Sequence, residues 1–262
     1  MSAGIERRSL LTASASRSSP AISLDAPEVE QRLHDATAAT PGRIVFTTSF
    51  GLEDQVLTHV IAHSGLGDRI AFVTLDTGRL FPEVHDLWAR TQERYGVSVA
   101  ACVPDADAVE QLVHDQGING FRTSPEARKA CCGVRKLVPL DHALKGAAGW
   151  ITGLRADQSQ ARGETSFMQQ DEQRGLVKIS PLHDWTRDRV LDFARANAVP
   201  LNPLHERGFV SIGCAPCTRA IAPGEPERAG RWWWEHDAAR ECGLHLGSDG
   251  RLVRARAAKV AP

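Results

Sequence analysis

The sequence predicts an α/β fold: a parallel, twisted sheet with helices on both faces. Three observations predict it. Short apolar runs of strand length alternate with longer segments whose apolar residues recur at helical spacing. The strand-like runs read as buried, as strands covered on both faces do. At 262 residues, 42% hydrophobic and 24% charged, the chain can bury a full core.

The elements follow in order. Pro27 to Ala39 reads as a first helix, with Val29 and Leu33 on one face. Arg43 to Thr48 is a buried strand. Glu53 to Ser64 carries Val56, Leu57, Val60 and Ile61 at helical spacing, and Gly65 stops it. Arg69 to Leu75 is a second strand. Pro82 to Tyr95 is a helix with proline at its start and Gly96 after its end. Val97 to Val103 is a third strand, and Asp105 to Gln116 a helix with an acidic cap. The segment around Cys131 continues as a helix to Lys145. Trp150 to Gly153 and Val177 to Ile179 are strands, and Arg187 to Asn197 is a helix. No internal repeat is present.

The termini differ from this middle. Residues 1–24 are rich in Ser and Ala, with Arg7, Arg8 and Arg17 against Glu6 alone, and are expected to be a disordered head. The same composition also describes an organelle transit peptide. The expected division is this head, a catalytic domain over 25–242, and a flexible tail over 243–262. Lys plus Arg number 31 and Asp plus Glu 32, a net charge of -1, so no strong field for nucleic acid or an anionic membrane is expected. No apolar run approaches the ~20 residues that span a bilayer.

Three segments carry chemistry. The first follows the first strand: Thr47, Thr48, Ser49, Phe50, Gly51, Leu52, Glu53, Asp54. Hydroxyls and a glycine after a buried strand leave backbone N–H groups free at a helix start, an anion cradle at the strand ends. The loop lacks a Walker lysine and a dinucleotide glycine triplet. A second polar loop, Leu75-Asp76-Thr77-Gly78, ends the neighbouring strand, and a nucleotide fits between two such loops. An ordinary strand-to-helix turn is the alternative.

The second segment is a cysteine set. Of six cysteines, Cys131 and Cys132 are adjacent, and Cys214 and Cys217 form a CxxC 82 residues further on. With no secretory leader, a reducing compartment with metal-binding or catalytic thiols is expected over disulfides. Four such thiolates bind zinc or an iron–sulfur cluster. A zinc ribbon ordinarily supplies two CxxC turns, which the vicinal pair does not match. A buried pair beside a redox-active CxxC is the remaining alternative. Cys102, on a strand, reads as a buried core thiol.

The third segment is Glu241-Cys242-Gly243-Leu244-His245, where Cys242 is a candidate nucleophile. Arg219, Arg228 and Arg231 lie upstream. Cations near a thiol lower its pKa and attract an anionic substrate. The alternative for Arg228 and Arg231 is a surface pairing with Glu227 or Glu235. Trp232, Trp233 and Trp234 read as core or interface.

Together, Ser49-Phe50-Gly51 with Glu53-Asp54, Cys131-Cys132 with Arg135-Lys136, Gly153-Leu154-Arg155 with Gln158-Ser159, Cys214 to Arg219, Gly230 to Glu235 and the ECGLH motif resemble the assimilatory adenylyl-sulfate reductases of the phosphoadenylyl-sulfate reductase family. The resemblance runs from Arg43 to His245. It implies an adenine nucleotide alpha hydrolase-like fold related to the PP-loop enzymes. It implies reduction of adenylyl sulfate to sulfite and AMP by thioredoxin, a separate protein, through an S-sulfonate on Cys242. The implied cofactor is a 4Fe-4S cluster on Cys131, Cys132, Cys214 and Cys217. The implied substrate-binding residues are Ser49, Gly51, Leu75, Gly78, Lys136, Arg162, Arg228 and Arg231. A cytoplasmic homo-oligomer is expected. The alternatives are a 3′-phosphoadenylyl-sulfate reductase, a PP-loop ATP-dependent enzyme and a zinc-binding interaction module. The loop at Ser49 departs from the Ser-Gly-Gly-x-Asp-Ser form of the second.

Overall fold

The structure is a computed structural model of the chain and describes residues 26–235. The head, the tail and Cys242 lie outside the described residues. Six strands form one sheet: β1 (Ile44–Thr47), β2 (Ile70–Leu75), β3 (Val99–Cys102), β4 (Gly149–Ile151), β5 (Met168–Asp171) and β6 (Leu176–Ile179), in the order β3-β2-β1-β4-β6-β5. The strands from β3 to β6 are parallel to their neighbours, with Ile44 of β1 in register with both Ile70 and Gly149. The edge strand β5 is antiparallel to β6 and was not expected.

The helices are α1 (Pro27–Ala39), α2 (Leu52–His63), α3 (Pro82–Tyr95), α4 (Ala106–Gln116), α5 (Pro125–Cys132), α6 (Val138–Leu144) and α7 (Arg187–Ala196). Proline in the first turn starts α1 and α3, where its missing N–H costs no hydrogen bond. Asp105 caps α4 by accepting from the Ala108 N–H, and Gly96 ends α3 in the left-handed region. Side chains alternate across the sheet. Ile44, Phe46, Phe72 and Ile151 pack with Val56, Leu57, Leu87 and Val190 of α2, α3 and α7 on one face. Val45, Val73 and Trp150 pack with Leu140, Ala143 and Leu144 of α6 on the other. Among the described residues, no helix is long and apolar enough to cross a membrane.

Two expectations need correction. Cys102 is half-buried rather than a core thiol, because β3 is an edge strand and its side chains are covered on one side only. The helix expected from Cys131 to Lys145 is not uniform: between α5 and α6 it widens into a π turn over Gly133–Leu137. Pro139 supplies the reason. It has no N–H, and its ring crowds the carbonyl four residues back, so the helical register must open there.

The chain runs outward from β1 to β2 and β3, then crosses back to place β4 on the other side of β1. That reversal opens a crevice beyond the carboxyl ends of β1 and β4, where ligands bind in such sheets.

Candidate active site

A cleft occupies this crevice. Its walls include Thr47 to Ser49 and Gly51 to Asp54 after β1, Leu75 and Thr77 after β2, and Thr152 to Leu154 after β4. The loop after β1 is tightly specified. Asp54 Oδ2 accepts from the Ser49 N–H (2.6 Å) and from Ser49 Oγ (2.7 Å). Phe50 sits at φ 56°, a strained conformation for a side chain of that size. It is held there by burial and by stacking on Trp88, with ring centroids 5.7 Å apart. The strain and the Asp54 bonds together fix the backbone at the start of α2. Burial pushes the Asp54 carboxyl up to about 6, against the opposing pull of the Ser49 hydrogen bonds.

The cleft brings together residues far apart in sequence. Lys136, Arg162, Arg228 and Arg231 all line it, opposite Ser49, Gly51 and Leu75. Gly78 does not line it. Its φ of 69° turns the loop, its N–H donates to Asp76 Oδ1, and Thr77 takes the place at the wall. Arg231 is buried, and its Nε has no hydrogen-bond partner among the described residues. Its guanidinium lies flat against Gly213, where a Cβ would overlap it, and 4.8 Å from the Trp232 ring centroid. An antiparallel bridge between Thr218 and Arg231 fixes the backbone there. For Arg231 the alternative pairing with Glu227 or Glu235 does not form among the described residues: Glu235 is held by Arg128 (2.7 and 3.0 Å) and Glu227 by Arg155 (3.0 Å).

Next to the cleft, Cys131, Cys132, Cys214 and Cys217 line one small recess with Phe121, Trp232, Arg79, Arg128, Arg135 and Lys136. Lys136 lines both spaces. The first pair ends α5, and the second brackets a 3-10 turn whose Ala215 N–H donates to the Arg79 carbonyl. Thr77 Oγ1 lies 3.3 Å from Cys214 Sγ. Burial raises Cys214, but the charge of Lys136 and the Thr77 hydroxyl outweigh it and leave the thiol below its usual value. Burial, reinforced by Cys214, pushes Cys217 up to about 12.

This donor set fits a thiolate-ligated metal centre. Four soft sulfurs share one recess with Phe121, Trp232 and four cationic side chains, and the buried Trp232 Nε1 beside them has no partner among the described residues.

His205 and Ser211 to Gly213 line the cleft and were not singled out beforehand, while Glu53, Asp54, Arg155 and Glu227 were named without a positioning role. Arg155 lies inside a quoted motif and Glu227 adjoins Arg228, but their pairing spans 72 residues and leaves no local signal.

An open, mostly parallel sheet with a cleft at its reversal point defines the class of α/β proteins that take ligands at the carboxyl ends of their strands. Within that class the chain belongs to the phosphoadenosine phosphosulfate reductase domain family, whose model matches residues 43–220. It is 54% identical over 209 residues to the adenosine 5′-phosphosulfate reductase of Agrobacterium fabrum, covering 80% of each chain. It is 51% identical over 202 residues to the protein of that name in Allochromatium vinosum, covering 77% of this chain and 78% of that one. Among solved structures, the phosphoadenylyl-sulfate reductase of Candida auris superposes with a TM-score of 0.62 at 24% identity, over 74% of this chain and 90% of that one. That likeness supports the fold.

Proposed function

We propose that this chain reduces adenylyl sulfate to sulfite and AMP with electrons from thioredoxin. The observation that carries this is one cleft uniting the Ser49–Gly51 loop with Lys136, Arg162, Arg228 and Arg231, beside a recess of four cysteines. The loop suits the nucleotide phosphate, and the cations suit a sulfuryl group that stays anionic throughout its transfer. The thiolate of Cys242 attacks the sulfur, the bond from sulfur to the phosphate oxygen breaks, and AMP leaves. Cys242 keeps a sulfonate. One thioredoxin thiolate then attacks the Cys242 sulfur and expels sulfite. The second thioredoxin thiol resolves the mixed disulfide, returns the Cys242 thiol and leaves thioredoxin oxidised.

Cys131, Cys132, Cys214 and Cys217 would hold a 4Fe-4S cluster. Bound there, it supplies a rigid tie between α5 and the CxxC turn. Both electrons come from the thioredoxin dithiol. The direct test compares kcat/KM for adenylyl sulfate and its 3′-phosphorylated form. A preference for adenylyl sulfate is expected. A preference for the 3′-phosphate, or ATP-dependent pyrophosphate release, would refute the reading. A cytoplasmic homo-oligomer remains part of the same proposal, read by sedimentation and fractionation.

Two predictions arise from the cleft. Among the described residues Arg231 makes no carboxylate pair, and we assign its charge to the substrate. Arg231→Ala is expected to weaken adenylyl sulfate binding about tenfold or more, since charge-assisted bonds contribute ~1.5–3 kcal/mol. Gly213→Ala should reproduce that defect by driving Arg231 out of its seat. Both variants should retain wild-type iron. Unchanged affinity in both would return Arg231 to a structural role.

Asp54 gives a pH signature. As pH falls through about 6, Asp54 takes up a proton and loses an acceptor site that the Ser49–Gly51 loop uses. AMP affinity of the wild type is therefore expected to fall more steeply on acidification than that of Asp54→Asn, which lacks this titration. The nucleotide's own phosphate titrates alike in both. Parallel profiles by calorimetry would show that Asp54 does not order the loop.

A further inference from the structure

Arg155 has no exposed surface and does not line the cleft, yet it contacts three parts of the cleft wall. Its Nε donates to Glu53 Oε1 (2.8 Å) at the start of α2, within the nucleotide loop. Its Nη2 donates to both oxygens of Glu227 (3.0 Å each), the residue before Arg228. Its Nη1 donates to Asp157, whose other oxygen accepts from the Arg187 N–H at the start of α7. Its backbone N–H donates to Gln158 Oε1 (3.3 Å), and the same amide oxygen accepts from Arg162.

Two of the carboxylates, Glu53 and Glu227, line the cleft themselves. By charge alone they oppose an anionic ligand. A planar, permanently charged guanidinium with donors on separate sides can hold several carboxylates in fixed directions, which an ammonium cannot. We propose that Arg155, Glu53 and Glu227 form a clamp, centred on the buried guanidinium, that sets the distance between the nucleotide loop and the Arg228–Arg231 segment. Arg155 and Glu227 are thereby positioning residues for the anionic nucleotide. The clamp rests on the nucleotide reading given above.

Positioning and plain electrostatics predict opposite signs. Removing a negative charge from the wall should tighten anion binding if only charge matters. Replacing Arg155 by lysine should then change nothing, because the charge is kept. If the clamp positions the cations, both changes should weaken binding. The experiment is calorimetric titration of AMP into iron-loaded wild type, Glu227→Gln and Arg155→Lys, with thermal midpoint and iron content measured on each. Both variants are expected to raise the dissociation constant about fivefold or more, with wild-type iron retained. Glu227→Asp, which keeps the charge, should recover part of the loss. Glu227→Gln carries the test alone if Arg155→Lys does not fold. Equal or tighter AMP binding by Glu227→Gln, with the wild type binding normally, overturns the clamp alone. A wild-type chain that binds neither AMP nor adenylyl sulfate overturns the functional reading and the clamp with it.

Discussion

Cys242→Ser will bind adenylyl sulfate and keep its iron, yet lose turnover by about a thousandfold or more, ~4 kcal/mol of barrier. The argument is one of assignment among thiols. Cys131, Cys132, Cys214 and Cys217 share one recess, and the proposed cluster takes all four. Cys102 sits at the sheet edge, where burial raises its thiol above the usual value despite the opposing charge of Arg43, so it carries little thiolate. Cys242 is the remaining thiol, in the ECGLH motif outside the described residues. A serine hydroxyl is a far weaker nucleophile than a thiolate, and it cannot accept a sulfonate that thioredoxin then removes. Adenylyl sulfate alone should add about 80 Da to one thiol of the wild type and release one AMP, the mark of covalent catalysis. Peptide mapping should find the adduct on Cys242, and thioredoxin should discharge it as sulfite. An adduct on Cys102 or on the CxxC would overturn the mechanism, as would normal turnover by the variant.

Cys217→Ser is expected to remove iron, sulfide and visible absorption together, and activity with them. Cys217 lies in the recess with its thiol pushed up to about 12, so without a metal it is a neutral, buried group. A metal centre instead takes the thiolate and releases the proton. Serine oxygen is a hard donor and a poor replacement for it. The loss should extend to nucleotide affinity, because Lys136 belongs to the cleft and the recess alike. An iron-replete and fully active Cys217→Ser would refute the ligand set. One zinc per chain without sulfide in the wild type would favour a mononuclear site.

Local signals account for what was legible in the sequence. α1 and α3 match their expected spans, Pro27–Ala39 and Pro82–Tyr95, because proline starts and helical spacing are written within each segment. The strands β1, β2 and β3 were legible as apolar runs, trimmed by one or two residues at their ends, while β4 and β6 each begin one residue earlier than expected and β4 ends two residues earlier. β5 was not. Its sequence, Met168 to Asp171, has no apolar pattern, and it becomes a strand by pairing with β6 and through the bond of Asp171 to Arg174. The exposure of Cys102 depends on strand order, which no single segment carries. The loops at Ser49 and Leu75 were legible as polar strand ends. The clamp at Arg155 was not, because opposite charges 72 and 102 residues away became its partners only once the sheet had formed.

The spacing of the cysteine pairs has a consequence for the order of maturation. Cys132 and Cys214 are 82 residues apart, and the chain between them supplies α6, β4, β5, β6 and α7. A metal centre held by both pairs closes that length into a ring. Chain-entropy arithmetic for a ring of this size gives ~4–5 kcal/mol of stabilisation, drawn from the unfolded state. The sulfurs meet only after the second half of the sheet has taken its place beside β1. On the proposed ligand set, iron loading is expected to follow folding, and an unloaded chain should melt earlier by a margin set by the length of that ring.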